Sequence, residues 1–320
     1  MSSVLKIALS SIRNYLAALK NNNMVFNALW IEYLRVRGWW NMRKYNDEEA
    51  IRKLYFDYSG RQPDLINPKR FSEKLQWLKL NDRNPLQPIC ADKHAVRNWL
   101  IERGYDRLLN TQVDVYEKIS DIDFNTLPSK FVLKAAHSSG WNIICNDKGD
   151  LSWFQVKLVL GGWLRQNIFW NGREWPYKMM PHRIVCETYL EDVSGKLRDY
   201  KFYCFNGEPR FVQANSGRGE KIHIQNFYDL EWKAMPFGKD LAPVKDAHVP
   251  APKSLVQMIK IARDLSSEFI YVRVDFYEID NKPIFGEMTF YPASGLPDFI
   301  PDKYDLVCGE MLSLPNSDPA

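Results

Sequence analysis

The sequence is poor in the residues that build covalently or metal-bridged frameworks. Cysteine occurs five times in 320 residues, at positions 90, 145, 186, 204 and 308, with no Cys-x-x-Cys spacing. An odd, scattered set excludes a disulfide ladder or a zinc ribbon and points to reduced thiols in a cytoplasmic chain. No apolar run reaches the roughly 18 to 20 residues of a membrane span. The N-terminus shows neither the apolar core nor the small-residue cleavage site of an export signal, so the chain is expected to stay inside the cell. The GxxxxGK[ST] phosphate loop is missing, which excludes a Walker-type nucleotide site. Neither a Ser-His-Asp nor a Cys-His pattern is present, so no side chain is expected to act as a covalent nucleophile. Basic residues are not interleaved with an aromatic strand platform, and nucleic acid is therefore excluded as a partner.

What is present suits a globular chain. Hydrophobic residues make up 45% and aromatic residues 14% of the sequence, enough for a sizeable core divided among two or three subdomains. The net charge of +4 conceals an asymmetry: residues 1–45 carry seven cations against Glu32 alone, a net +6, which leaves −2 for the remainder. Residues 4–20 place Leu5, Ala8, Leu9, Ile12, Leu16 and Leu19 at helical spacing, with Lys6, Ser10, Arg13, Ala17 and Lys20 opposite. Asn21 to Asn23 break this basic amphipathic helix, and residues 24–40 form a second one anchored by Phe26, Trp30, Trp39 and Trp40. Such an extension either packs on the core or lies on an anionic membrane surface.

Residues 46–80 again show helical spacing, interrupted where Pro63 and Pro68 forbid a continuous helix. The segment 72–80 reads as a helix with Trp77 on its buried side. A further helix over 91–104 opens near Asp92 and closes at Gly104, with Lys93 solvent-exposed in its first turn. Residues 131–133 and 143–145 are strand-like. Between them lie Lys134, His137 and the small residues Ser138, Ser139 and Gly140, which let backbone amides approach a phosphate closely while Lys134 supplies positive charge. His137 either contacts phosphate or substrate or satisfies a backbone group. A helix over 151–167 and the aromatic run FWNGREWPYK follow. Strands are expected at 182–190, ending in Glu187, and at 197–205, where Asp199 and Lys201 share one face because side chains repeat every second residue. Asn206-Gly207 turns that strand into another over 209–214. The polar stretch 216–226, with Arg218 and His223, is read as a loop; 255–269 is a last helix, and the tail after Tyr304 carries no pattern.

The stretch YVRVDFYEIDNKPIFGEMTFYPASG, residues 271–295, organises the rest. Residues 271–278 alternate as a half-buried strand, Asp280 to Lys282 supply turn chemistry, and 283–289 return. Pairing brings Asp275 and Glu287 together. Two neighbouring acids repel unless a cation sits between them, and hard divalent ions take carboxylate oxygens. The alternative is a solvated hairpin.

With FSEKLQWLKLNDRNPL, ICADKHAVR, FVLKAAHSSGWNIIC, EWPYK, RIVCETYL, DYKFYCFNGEPRF, VRVDFY and FGEMTFYPASG in this order, the chain resembles the ATP-grasp superfamily, specifically its TupA-like branch, over about residues 58–312. The resemblance implies an α+β fold in which two subdomains clamp ATP. It divides the chain into a helical extension at 1–45, an N-terminal helical and α+β region at 46–120, a lid subdomain at 121–190 and a larger subdomain at 191–320. By motif, Lys93 and Lys134 would bind the α- and β-phosphates under the loop of Ser138, Ser139 and Gly140. Glu187, with backbone groups of Thr188 and Leu190, would hold the adenine edge, and Asp199 would line the nucleotide site. Asp275, Glu287 and Thr289 would hold Mg²⁺, and Lys201, Arg218 and His137 would face the transferring phosphate or the substrate. Thr289 stands where the superfamily commonly has Asn, and Ser138 and Trp141 stand where glycine is expected.

The activity so implied is ATP-dependent amide formation through an acyl phosphate. The acceptor would be a uronic acid of a bacterial surface polysaccharide or glycolipid precursor, and the donor an amino acid or amine. The cytoplasm, with peripheral contact at the inner face of the membrane, is the expected location, and aromatics around FWNGREWPYK would stack on sugars or fill the core. The competing reading is a glycosyltransferase using a nucleotide sugar, on the strength of Asp121-Ile122-Asp123, a DxD match.

Overall fold

Asn46 explains where the helix over Asp47–Ser59 starts: its side chain accepts from the Glu49 amide while Glu49 reaches back to the Asn46 N–H, and Gly60 closes the far end in the left-handed region. The structure is a computed structural model that describes residues 23–192, 197–217, 224–239, 248–297 and 299–315. In chain order the helices up to residue 102 are α1 (Met24–Lys44), α2 (Asp47–Ser59), α3 (Phe71–Asn81), α4 (Leu86–Ala91) and α5 (Ala95–Glu102). Then come β1 (Gln112–Tyr116), β2 (Phe131–Ala135), β3 (Asn142–Cys145), α6 (Trp153–Leu164), α7 (Phe169–Gly172) and β4 (Ile184–Thr188). Beyond them lie β5 (Asp199–Phe205), β6 (Glu208–Ser216), β7 (Ile224–Tyr228), β8 (Gly238–Lys239), α8 (Leu255–Ser266), β9 (Tyr271–Ile279), β10 (Lys282–Thr289), β11 (Phe299–Ile300) and α9 (Lys303–Glu310). The fold is α+β with antiparallel sheets, behind a helical N-terminal region. The helix expected at 4–20 lies outside the described residues.

The chain forms two units, described separately. The first comprises residues up to 61, 92–94 and 111–189. Its four-stranded sheet runs β1-β4-β2-β3, and β4 pairs antiparallel with both β1 and β2. Phe131, Leu133, Ala135, Ile184 and Cys186 pack from this sheet against Val156, Leu160 and Trp163 of α6 and Ile31 of α1. Gly162 admits α1 closely, since a Cβ there would sit 2.8 Å from Ile31 Cγ2.

The second unit comprises 62–91, 95–110 and 190 onward. Its five-stranded sheet runs β10-β9-β5-β6-β7, with every neighbour antiparallel. All seven residues of β5 are buried, as befits a central strand covered on both faces. One face carries α8, through Met258, Ala262 and Leu265. An aromatic core of Phe71, Phe205, Phe211, Phe227, Phe237, Tyr271 and Phe299 fills this unit, with ring centroids 4.8 to 6.2 Å apart.

Several expectations need correction. Trp77 is only half-buried; Phe71, Leu75 and Leu78 are the residues α3 buries. Lys93 is not in a helical first turn but in the turn between α4 and α5, and it is half-buried rather than exposed. Residues 224–228 are strand, not loop, and after Tyr304 a helix continues to Glu310.

Candidate functional site

The polar centre of the second unit is a row of side chains laid across four strands. Gln213, Lys201, Asp275 and Glu287 lie directly opposite one another on β6, β5, β9 and β10. The next rows on the same face hold Asn215, Asp199 and Tyr277 on one side, and Tyr203, Arg273 and Thr289 on the other. Plain pairing of the hairpin would put Gly286 opposite Asp275, because Phe285 faces Phe276. A bulge at Gly286 shifts the register by one, so Glu287 and Thr289 turn onto the face of Asp275 and Arg273. Glycine is needed there, since a Cβ would approach the Asp275 carbonyl oxygen to 3.0 Å. The tip of the hairpin is Asp280-Asn281, both with positive φ, as a two-residue type I′ turn requires.

The contacts are dense. Lys201 Nζ lies 2.5 Å from Asp275 Oδ2 and 2.8 Å from Asp199 Oδ2. Arg273 donates from Nε to Asp275 Oδ1 and from Nη2 to Oδ2, both at 2.7 Å. The same Nη2 reaches Thr289 Oγ1 at 3.1 Å and Glu287 Oε1 at 3.4 Å, and the Thr289 hydroxyl donates to Glu287 at 3.2 Å. A second chain runs from the Tyr203 hydroxyl to Gln213, from Gln213 to Asn215 and from Asn215 to Asp199. Burial pulls the Lys201 ammonium down, but the Asp199 and Asp275 carboxylates more than offset it and hold the amine protonated. Burial also acts against the Arg273 charge, and Asp275 outweighs it. Asp275 is 3% exposed, while the Glu287 side chain keeps 26% exposure and is the open end of the row.

Arg273 is the residue that sequence reasoning missed. The expectation was that two adjacent acids require a divalent ion between them; in the structure Arg273 and Lys201 already neutralise Asp275. The signal was available, because Arg273 stands two residues before Asp275 on an alternating strand and therefore shares its face. Three carboxylates against two cations still leave one surplus negative charge, and the donors Asp275, Glu287 and Thr289 are all oxygen. That chemistry fits Mg²⁺, which takes one or two carboxylates and fills its other positions with phosphate oxygens and water. Among the described residues no group of three or more His, Cys, Asp or Glu is arranged around a metal position.

In the first unit, Lys134 of β2 and Glu187 of β4 form an ion pair of 2.6 Å, the latter 8% exposed. The Thr188 amide donates to the Thr111 carbonyl at 3.0 Å. The loop between β2 and β3 is held at its base: Ala135 N–H bonds Trp141 O at 3.0 Å and Ala136 N–H bonds Arg183 O at 2.9 Å. Lys93 Nζ donates to the Ser138 carbonyl. Ser138 is buried, Ser139 and Gly140 are exposed, and Gly140 has φ of 73°. Asp92 and Arg183, 2.5 Å apart, fix the turn that presents Lys93. Leu190 is half-buried and belongs to the second unit.

His137 is a core histidine. It is 1% exposed, stacks on His182 at 4.3 Å, bonds through Nε2 to the Trp163 carbonyl at 2.8 Å and accepts at Nδ1 from the Arg183 amide at 3.3 Å. Burial pushes its pKa down to about 4, and the neighbouring His182 adds to this. Both ring nitrogens meet backbone groups, the arrangement of the second reading given for this residue. Trp141 stacks on Trp163 at 6.0 Å. Around FWNGREWPYK, Phe169 and Tyr177 are buried and Trp170 lies under the Arg173 guanidinium at 4.8 Å. Trp170 and Trp175 are half-buried. Asp123 of the DxD triplet accepts from the Asn125 amide in a turn. Arg218 and His223 lie outside the described residues.

Comparison with known proteins identifies the family. The sequence model of the family described as TupA-like ATPgrasp matches residues 73–313. The chain belongs to this ATP-grasp family. Among solved structures, this ATP-grasp chain is similar to a D-alanine–D-alanine ligase from Bacillus anthracis complexed with ATP, at 19% identity over 63% of this chain and 55% of that one, with a TM-score of 0.38. It is similar to an L-amino acid ligase from Bacillus licheniformis at 16% identity, covering 78% of this chain and 57% of that one, with a TM-score of 0.44. A D-alanine–D-alanine ligase from Helicobacter pylori matches at 12% identity over 78% and 68% of the two chains, with a TM-score of 0.40. The chain thus spans little more than half the length of the first two. No curated protein matches it.

Proposed function

We propose that the protein is an ATP-dependent carboxylate–amine ligase that works through an acyl phosphate. The observation that carries this reading is the row of Lys201, Asp275 and Glu287, with Arg273 and Thr289 beside it, in a chain of the TupA-like ATP-grasp family. In this reading Lys93 and Lys134 bind phosphate oxygens beneath the loop of Ser138, Ser139 and Gly140. Glu187, with backbone groups of Thr188 and Leu190, takes the adenine edge. Asp275, Glu287 and Thr289 hold Mg²⁺, which when bound neutralises charge on the phosphate oxygens. Lys201 and Arg273 are kept protonated by Asp199 and Asp275, and they present fixed positive charge to the transferring phosphoryl group without reorganising at the moment of reaction. A substrate carboxylate attacks the γ-phosphorus and ADP leaves. An amine then attacks the acyl carbon, phosphate leaves, and the amine gives up a proton. Arg218 is retained as a second cation for the acyl phosphate.

For substrates we propose a uronic acid of a surface polysaccharide or its glycolipid precursor, joined to an amino acid or amine in the cytoplasm. Support for this finer reading is the TupA-like branch itself. The glycosyltransferase alternative rests on the Asp121-Ile122-Asp123 match alone, where Asp123 accepts from the Asn125 amide.

The test is release of ADP and phosphate from Mg-ATP in the presence of a panel of amino acids and a uronic-acid glycan. Release of UDP from a sugar nucleotide, with no ATP consumed, overturns the assignment. Glu287→Gln keeps volume and removes a carboxylate, so turnover is expected to vanish with the melting profile unchanged; retained turnover means the metal site lies elsewhere.

A further inference from the structure

Helix α1 packs on the first unit through one face and leaves the opposite face apolar and exposed. The packed side is marked by Ile31 and Gly38, the two residues of α1 that are fully buried. At 3.6 residues per turn, the stripe on the far side is Val25, Leu29, Tyr33, Val36 and Trp40. These five are 43%, 65%, 52%, 48% and 59% exposed. Five large apolar residues in continuous register exceed the scattered exposure normal for a surface.

The charges beside the stripe say what covers it. The acid of α1, Glu32, is already bonded to Arg35 and Arg165 at 2.7 Å each. Arg43 and Lys44 remain exposed in the last turn, with the Arg43 guanidinium 3.7 Å from the centre of the Trp39 ring. Arg37 adds a further cation on the other flank, where it donates to the neutral Asn171. The preceding residues 1–22 contain Lys6, Arg13 and Lys20 and no acid. A second copy of this face, or the preceding segment folded back on it, would therefore bring like charges together. A surface of anionic lipid headgroups over an acyl boundary complements both the cations and the stripe, with Tyr33, Trp39 and Trp40 suited to the level where apolar and wet meet.

We propose that α1 is a membrane-reading helix that seats Val25, Leu29, Tyr33, Val36 and Trp40 on an anionic bilayer surface. No helix among the described residues is long and apolar enough to cross a membrane, so the contact is peripheral. The inference does not depend on the ligase reading, and either can fail alone.

The experiment is co-sedimentation of the full chain with vesicles of phosphatidylcholine and of equimolar phosphatidylcholine and phosphatidylglycerol. Binding is expected to the anionic vesicles alone, to weaken as salt rises, and to shift Trp fluorescence to the blue. Leu29→Ser, Val36→Ser and Trp40→Ser together should lower partitioning on the order of tenfold, with melting unchanged because all three sites are exposed. Arg43→Gln with Lys44→Gln should lower it by a similar order. Any of these outcomes overturns the proposal: no binding by the unaltered chain; unchanged binding by the triple α1 variant; equal binding to neutral vesicles; or loss of binding in a Leu9→Ser, Ile12→Ser, Leu16→Ser chain that the α1 variant does not share. Dissociation of a dimer by the triple variant with vesicle binding intact assigns the face to a second copy and likewise overturns it.

Discussion

At the scale of single residues, Arg273 decides how the carboxylate row is held. It is buried, and it contacts Asp275, Glu287 and Thr289. Removing one member of a buried ionic cluster costs more than the cluster contributes, because the partners stay desolvated. Arg273→Met is therefore expected to destabilise the fold by about 3 kcal/mol in denaturant unfolding and to abolish turnover. Adding Asp275→Leu should recover much of the stability and none of the activity. A single variant of wild-type stability would show that Arg273 does not hold the acids. His137 gives a pH signature of opposite character. Its pKa is about 4 in the fold against 6.5 unfolded, so between those values the unfolded chain binds the extra proton. Stability is then full above pH 6.5 and falls as pH drops toward 4, by up to about 3 kcal/mol. His137→Gln should flatten this part of the profile relative to wild type; an unchanged slope removes His137 as its source.

At the scale of elements, the hairpin of β9 and β10 was the most legible part of the sequence. Alternation in 271–278 and the Asp280-Asn281 turn fix the two strands, and the prediction that Asp275 meets Glu287 is met in the register. What was not legible is how they meet. Strict pairing would have turned Glu287 away, and the correction comes from a bulge whose only sequence mark is a glycine inside a strand. The loop of Ser138 to Gly140 is legible from small residues between two apolar strands, but the burial of His137 and Trp141 depends on α6 supplying the Trp163 carbonyl and ring. Such contacts between distant segments leave no local pattern. Gly286 offers an element-scale test. Gly286→Val places a branched Cβ against the Asp275 carbonyl oxygen, now 3.0 Å from the position of that atom. The strand must either open or slip, so activity should fall at least tenfold at a stability cost of about 1 to 3 kcal/mol. Ligase activity equal to wild type would show that the bulge does not set the Glu287 position.

At the scale of the whole molecule, the proposed nucleotide ligands are divided between the two units: Lys93, Lys134 and Glu187 belong to the first, and Lys201, Asp275 and Glu287 to the second. A ligand that binds the folded chain raises its stability by RT ln(1 + [L]/Kd), about 2.7 kcal/mol at a hundredfold excess over Kd. If one Mg-ATP engages both sets, saturating nucleotide should raise the melting of both units together, by several degrees, and ATP with a chelator should do less. Lys134→Met in the first unit and Glu287→Gln in the second should each remove most of the shift, because a shared ligand loses affinity from either end. A shift confined to one of two separated transitions, or one that survives Lys134→Met, would place the nucleotide on the second unit alone. In that case the lysine-bearing strand and its loop act in the fold of the first unit, where the Lys134–Glu187 pair already accounts for them.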